Sequence, residues 1–88
     1  MQVITTRQFE KDSEKELNKK MQQKLADIIE QLQKTDHLIE IPHLKKMKGY
    51  TNSYRIRFGD YRIGFLFENN TIILSRVMNR KEIYRYFP

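Results

Sequence analysis

Apolar and cationic side chains alternate along residues 54–65, YRIRFGDYRIGF, with one interruption by a glycine and an aspartate. Alternation with a period of two is typical of a strand with one buried face, and a glycine-containing pair between two such runs is typical of a hairpin turn. Counting outward from a two-residue turn places Arg57 opposite Arg62 and Arg55 opposite Gly64. Like charges directly across a sheet repel each other, so this hairpin predicts a surface that binds an anion.

The segment before the hairpin predicts a short strand and two helices. Thr5 and Gln8 have the form of a capping box, which predicts a helix over residues 6–17 after a strand at residues 2–5. A second helix is predicted to begin after Asn18, because its apolar residues recur at i, i+4, i+7, i+8 and i+11. We expect that apolar stripe to face the sheet; it consists of Met21, Leu25, Ile28, Ile29 and Leu32.

The second half of the chain predicts a connector followed by three strands. Pro42 and Gly49 disfavour regular structure within residues 35–52, so we expect an irregular connector with exposed lysines at its rim. An antiparallel meander is then predicted, with strands at about residues 53–58, 61–68 and 71–77. Counting along the third strand places Arg76 on the apolar face near Ile63, unless Arg76 lies at a rim or a bulge shifts the register. The sequence leaves that register open.

The end of the chain, residues 79–88, predicts one or two final helical turns. If those turns are helical, Arg80 and Tyr84 are at i and i+4 on one side. Together the elements predict an α+β fold, in which a small antiparallel β-sheet carries two N-terminal helices on one face and a short C-terminal helix. At 88 residues, the chain is expected to form one domain over residues 1–88.

The composition narrows the possible chemistry. There is no cysteine, which excludes a disulfide framework and a thiolate metal site. His37 and His43 are the only histidines and have no carboxylates spaced as metal ligands, so we expect no metal, no cofactor and a surface or structural role for both. No segment has the pattern of a signal peptide or a membrane span, which favours a cytoplasmic protein without a membrane partner.

The positive charge lies in the second half of the chain. The net charge is +6, but residues 1–44 hold 7 Lys/Arg against 8 Asp/Glu, whereas residues 45–88 hold 10 against 3. Such segregation is typical of a surface for nucleic acid or for an acidic protein.

Arginines and a tyrosine form the candidate site. Arg55, Arg57 and Arg62 share the polar face of the hairpin, and Arg80 and Tyr84 come from the terminal segment. Arginine binds phosphate oxygens through a planar fork and stacks on bases, and tyrosine stacks on unpaired RNA bases. The 2′-hydroxyl of RNA lies beside the next phosphate, so a protein can promote in-line cleavage by aligning the strand, neutralising charge and moving two protons. For any single arginine, a solvated strand face is the alternative.

At three segments the sequence resembles the RelE/ParE superfamily of bacterial type II toxins, specifically its RelE-like ribosome-dependent mRNA endonucleases. These segments are residues 44–49, residues 54–63 and residues 80–87, RKEIYRYF. The resemblance extends over the full length of the chain. It implies a small antiparallel sheet with two N-terminal helices, as the residue patterns predict independently.

The resemblance also implies roles for individual residues. Arg62 and Arg80 are expected to stabilise the charge on the phosphate in the transition state, and Tyr84 is expected to orient or activate the 2′-hydroxyl. RNA-binding residues are expected at Arg55, Arg57, Lys45, Lys46 and Lys48. The implied partners are mRNA on the ribosome and a cognate acidic antitoxin, with operator DNA contacted only through that antitoxin.

One position departs from the family pattern. Many relatives of this subgroup carry a histidine just before the C-terminal arginine, where this chain has Asn79. An amide does not exchange a proton near neutral pH, so proton transfer falls to Tyr84 or is weakened. Two alternatives follow: a ParE-like toxin that inhibits DNA gyrase, and an RNA-binding module without catalysis. Retention of Arg62, Arg80 and Tyr84 favours the RNA branch.

Overall fold

The computed structural model describes all 88 residues, Met1–Pro88, and has three α-helices, a short 3₁₀ helix at Leu38–Glu40 and a five-stranded sheet. The elements in chain order are β1 (Gln2–Thr5), α1 (Arg7–Glu16), α2 (Lys19–Lys34), β2 (Leu44–Lys46), β3 (Ser53–Phe58), β4 (Tyr61–Glu68), β5 (Thr71–Asn79) and α3 (Ile83–Tyr86). This is the predicted α+β class, with two N-terminal helices and a short C-terminal helix. No helix is both long enough and apolar enough to cross a membrane.

The sheet has the strand order β1-β5-β4-β3-β2 and is mixed rather than wholly antiparallel. β1 runs parallel to β5, with Gln2 opposite Thr71, while every other pair is antiparallel. A parallel neighbour requires a long connection, and the whole chain between β1 and β5 provides it. β2 forms inside the connector that was expected to be irregular, because Leu44 continues the ladder opposite Ile56 and pairs backbone groups that would otherwise lack partners.

The predicted hairpin is confirmed in register. Arg57 pairs with Arg62, and Arg55 pairs with Gly64. The turn between β3 and β4 uses Gly59 at a φ of +58°, a conformation that glycine adopts without steric cost. The next turn has two consecutive asparagines with positive φ, which is the geometry of a type I′ hairpin.

The two N-terminal helices begin at side-chain caps. Thr6, rather than the predicted Thr5, caps α1: its Oγ1 accepts a hydrogen bond from the Phe9 amide at 3.1 Å and donates one to the Leu74 carbonyl at 3.1 Å. The Leu74 bond also fastens the helix start to β5, which explains why the cap is shifted by one residue. Asn18 caps α2 as predicted, since its Oδ1 accepts from the Met21 amide at 2.9 Å.

The hydrophobic core lies between the helices and one face of the sheet. The predicted stripe of α2 faces it: Leu25 and Leu32 are buried, and Met21, Ile28 and Ile29 pack against it. Phe65, at the centre of the sheet, is fully buried. The remaining buried members of this core are Phe9, Leu17, Ile41, Ile56, Phe58, Ile63, Ile72, Leu74 and Val77.

A β-bulge resolves the position of Arg76. Gly64 pairs with Arg76 but Phe65 pairs with Leu74, so Ser75 is an extra residue in β5. Arg76 therefore lies opposite Gly64 instead of beside Ile63. Bulges of this kind redirect side chains and increase the local twist.

The bulge brings Arg76 to a carboxylate on α1. Asp12 accepts hydrogen bonds from Arg76 Nε at 2.7 Å and Nη2 at 3.1 Å, and from the Val77 amide at 3.2 Å. β1 pairs with β5 only as far as Leu74, and Asp12 supplies an acceptor for the free edge that follows. The Asp12 side chain is 6% exposed and that of Arg76 is 20% exposed, so the pair is largely removed from water.

Candidate nucleic-acid interface

The face of the sheet opposite the helices carries the predicted cationic residues. Because side chains alternate along a strand, burial of Ile56 and Ile63 on the helical face places Arg55, Arg57 and Arg62 on the other. β2 extends this surface, since Lys45 pairs with Arg55 at the edge of the sheet. The hairpin and its neighbouring strand thus concentrate positive charge on one face.

The first recess on this face, which we call the arginine concavity, has a volume of about 400 Å³. Its lining residues are His43, Leu44, Lys45, Arg55, Arg57 and Arg62. Arg62 is anchored within it, because its Nη1 donates to the Gly59 carbonyl at 3.0 Å and to the Tyr61 carbonyl at 2.8 Å. Those bonds hold the guanidinium beside the hairpin turn without neutralising its charge.

The second recess, which we call the lysine concavity, has a volume of about 310 Å³ and adjoins the first. It is lined by Lys45, Lys46, Met47, Lys48, Arg55 and Tyr84. Lys45 and Arg55 line both recesses. The Nε of Arg55 is a buried donor without a hydrogen-bond partner, so the guanidinium between the two recesses is not fully satisfied by the protein.

The C-terminal segment positions Tyr84 at the lysine concavity. Ile83 and Phe87 on either side of it are buried, while the Tyr84 side chain is 54% exposed. The Phe87 ring lies over Gly64, where a Cβ would come within 2.5 Å of its Cδ2. The space above Gly64, which pairs with Arg55, is therefore filled by Phe87. The Arg76 guanidinium lies 5.3 Å from the centre of the Tyr86 ring, a cation–π contact that also supports α3.

Arg80 lies outside both recesses. α3 begins only at Ile83, so Arg80 and Tyr84 do not share one helix as the sequence suggested. The Arg80 amide donates to the Asp60 carbonyl at 2.9 Å, which places Arg80 beside the same turn that holds Arg62. Its side chain is exposed.

Asn79 starts the turn that leads to α3. Its Oδ1 accepts from the Lys81 amide at 2.9 Å, and its carbonyl accepts from the Glu82 amide at 2.9 Å. An asparagine that bonds the backbone two residues ahead is typical of such turns. The residue that departs from the family pattern therefore has a local structural role.

Seven of the eight cationic and tyrosine residues selected from the sequence line one of the two recesses, and Arg80 is the exception. His43 lines the arginine concavity although the sequence analysis assigned it a surface or structural role. Its position depends on β2, a three-residue strand too short to be recognised from periodicity alone. The structure contains no group of three or more His, Asp or Glu side chains that could hold a metal ion.

Comparison with known proteins identifies the family to which this chain belongs. The model of a family described as "ParE toxin of type II toxin-antitoxin system, parDE" matches residues 3–84. The chain belongs to the RelE/ParE superfamily of toxins. The chain is 43% identical to "Toxin RelE3" of Methanocaldococcus jannaschii over the full length of both proteins.

Solved structures of the superfamily share its fold. The toxin of the RelB-RelE antitoxin-toxin complex from Methanococcus jannaschii matches with a TM-score of 0.81 and 42% identity, covering 98% of this chain and 100% of that one. The archaeal RelE-RelB complex from Pyrococcus horikoshii OT3 matches with a TM-score of 0.73 and 22% identity, covering 90% and 93%. At that identity the second match shows the fold alone.

Proposed function

We propose that this protein is the toxin of a type II toxin–antitoxin system and that it cleaves mRNA in the decoding site of the ribosome. The observation that carries the proposal is the gathering of Tyr84, three arginines and three lysines around two adjoining recesses on one face of the sheet. The full-length similarity to a toxin named RelE3 supports the same conclusion.

The proposed reaction uses the RNA's own nucleophile. The 2′-oxygen attacks the adjacent phosphorus as its proton is removed, the bond from phosphorus to the 5′-oxygen breaks, and that oxygen takes up a proton. The products are a 2′,3′-cyclic phosphate and a 5′-hydroxyl. The proposed chemistry needs no metal, because guanidinium groups can stabilise the charge that develops on the phosphorane. The proposal is therefore a metal-independent endoribonuclease.

Each residue has a proposed role. Arg62, whose guanidinium bonds to the turn between β3 and β4, and Arg80, whose backbone amide bonds to the same turn, stabilise the phosphorane. Tyr84 orients the 2′-hydroxyl or transfers its proton. A phosphate is a stronger acceptor than the neutral carbonyls of Gly59 and Tyr61, so we expect Arg62 to turn toward the RNA. The strand is bound by Arg55, Arg57, Lys45, Lys46 and Lys48.

We also propose a cognate acidic antitoxin as the partner that neutralises this toxin. Two of the similar structures are complexes of a toxin with its antitoxin. The 10 Lys/Arg against 3 Asp/Glu in residues 45–88 suit a partner of opposite charge. Contact with operator DNA is proposed to occur through the antitoxin, and the site of action is the cytoplasm.

A ParE-like action on DNA gyrase is the second candidate, and the name of the matching family favours it. A non-catalytic RNA-binding module is the third, favoured by Asn79 in place of the histidine of many relatives. Both predict that messages remain intact when the protein is expressed.

The test is controlled expression in a bacterium, followed by mapping of message ends. We expect growth arrest and new ends in a translated message but not in the same message with its start codon removed. Tyr84→Phe should reduce cleavage at least tenfold, whereas Tyr50→Phe, an equally exposed tyrosine outside both recesses, should not. Arrest with intact messages and inhibited supercoiling would support the gyrase alternative, and no arrest would support the binding module.

A further inference from the structure

His43 has a backbone conformation that is unusual for a residue with a side chain. Its φ is +61°, in the left-handed region, which is sterically disfavoured for a residue with a Cβ. Histidine is among the residues that tolerate this region better than most. The conformation turns the chain from Pro42 into β2, and strained positions of this kind cluster at functional sites.

Two contacts with Arg57 fasten His43 to the sheet. The Arg57 amide donates to the His43 carbonyl at 3.2 Å, and Arg57 Nη2 lies 3.2 Å from His43 Nδ1. A guanidinium can only donate hydrogen bonds, so Nδ1 must be the acceptor. This hydrogen bond requires the tautomer that has its proton on Nε2.

The surroundings of His43 are mixed in charge. On the side of the arginine concavity it is accompanied by Lys45, Arg55, Arg57 and Arg62. On the other side, His43 lines a groove beside α2 together with Asp27, Glu40 and Arg57. His43 is exposed to solvent and lines both the arginine concavity and this groove.

We propose that His43 is an RNA-contacting residue that positions the strand in the arginine concavity. It presents an Nε2–H donor to a phosphate or base oxygen and a ring face to a nucleobase, while Arg57 keeps it in the required tautomer. This inference rests on the proposed function, because it assumes that RNA occupies this recess. It adds a neutral donor and a stacking surface to a site otherwise lined mainly by cations.

His43→Asn separates this role from the local structural one. Asparagine also tolerates the left-handed conformation, and its side-chain oxygen can accept the Arg57 bond, but it lacks the ring and the Nε2–H. The matched control is His37→Asn, the same substitution in the same connector outside the arginine concavity. Equal unfolding curves for both variants and the wild type establish that the fold is retained.

The experiment measures binding of a short single-stranded RNA at low salt and cleavage of a translated message on purified ribosomes. We expect His43→Asn to bind the RNA about tenfold more weakly, the scale of one stacked base or one charge-assisted hydrogen bond, and to cleave more slowly. His37→Asn should match the wild type in both measurements.

The outcomes separate this inference from the proposed function. If the wild type cleaves the message and His43→Asn equals it in both assays, the inference is wrong and the proposed function stands. If the wild type binds RNA in a His43-dependent way without cleaving, the inference stands and the proposed cleavage is wrong. A wild-type protein that neither binds the RNA nor cleaves the message on the ribosome overturns both.

Discussion

The two faces of the sheet are built from the same strands but have different roles: one stabilises the fold, and the other carries the candidate site. The helical face holds Ile63, Phe65 and Val77 with no exposed surface and is closed by α1 and α2. The other face holds three arginines, of which Arg57 is exposed and Arg55 has an unpaired buried donor. Burial of the helical face stabilises the fold. The open face, by contrast, leaves the charges of its arginines unneutralised. We infer that the open face has been shaped by a ligand rather than by stability.

α3 contributes both to the stability of the fold and to the candidate site. Ile83 and Phe87 pack as core residues do, but they pack onto the open face. Between them, Tyr84 is held at the lysine concavity. Substitutions on either side of the sheet therefore test whether one face stabilises the fold and the other serves the function.

The largest effect on stability is expected at the buried edge of β5. Asp12→Ala leaves the Arg76 guanidinium and the Val77 amide without their acceptor, which should lower the free energy of unfolding by about 3 kcal/mol. Urea denaturation measures this change. Glu14→Ala, an exposed carboxylate on the same helix, is the control and should change stability by about 0.5 kcal/mol or less. Equal effects of the two substitutions would contradict the account of this edge.

A smaller effect is expected where α3 meets the open face. Gly64→Ala places a Cβ within 2.5 Å of the Phe87 ring, so we expect a loss of about 1 to 3 kcal/mol from overpacking. The effect should nearly vanish in a Phe87→Ala background, because the clashing ring is absent. A double-mutant cycle of unfolding free energies measures the coupling. Additive effects would show that Gly64 and Phe87 do not constrain each other.

The elements that could be predicted from the sequence are those specified by local patterns. The alternation around Gly59 determined the hairpin register, and the spacing of Leu25 and Leu32 determined the buried face of α2. Arg55, Arg57 and Arg62 were placed on one face for the same reason. Lys45, Lys46, Lys48 and Tyr84 were expected at the site from the family resemblance, because no local pattern brings them to the hairpin.

The features that could not be predicted depend on contacts distant in sequence. The bulge at Ser75 is accompanied by the bond between Arg76 and Asp12, which are 64 residues apart. The parallel pairing of β1 joins the two ends of the chain. The sequence around His43 gives no indication that this residue lies opposite Arg57 across β2 and β3. His43 therefore appeared to be an isolated histidine.

The assignment of the open face as the RNA-cleaving surface is tested by the rate of message cleavage on purified ribosomes by Arg62→Ala, compared with Arg85→Ala. Both substitutions remove one guanidinium, but Arg85 lines neither recess and forms a surface ion pair with Glu82. We expect Arg62→Ala to cleave at least tenfold more slowly than the wild type, with unchanged stability, and Arg85→Ala to cleave at the wild-type rate. Equal rates for the two variants would contradict the assignment of the open face as the site of RNA cleavage.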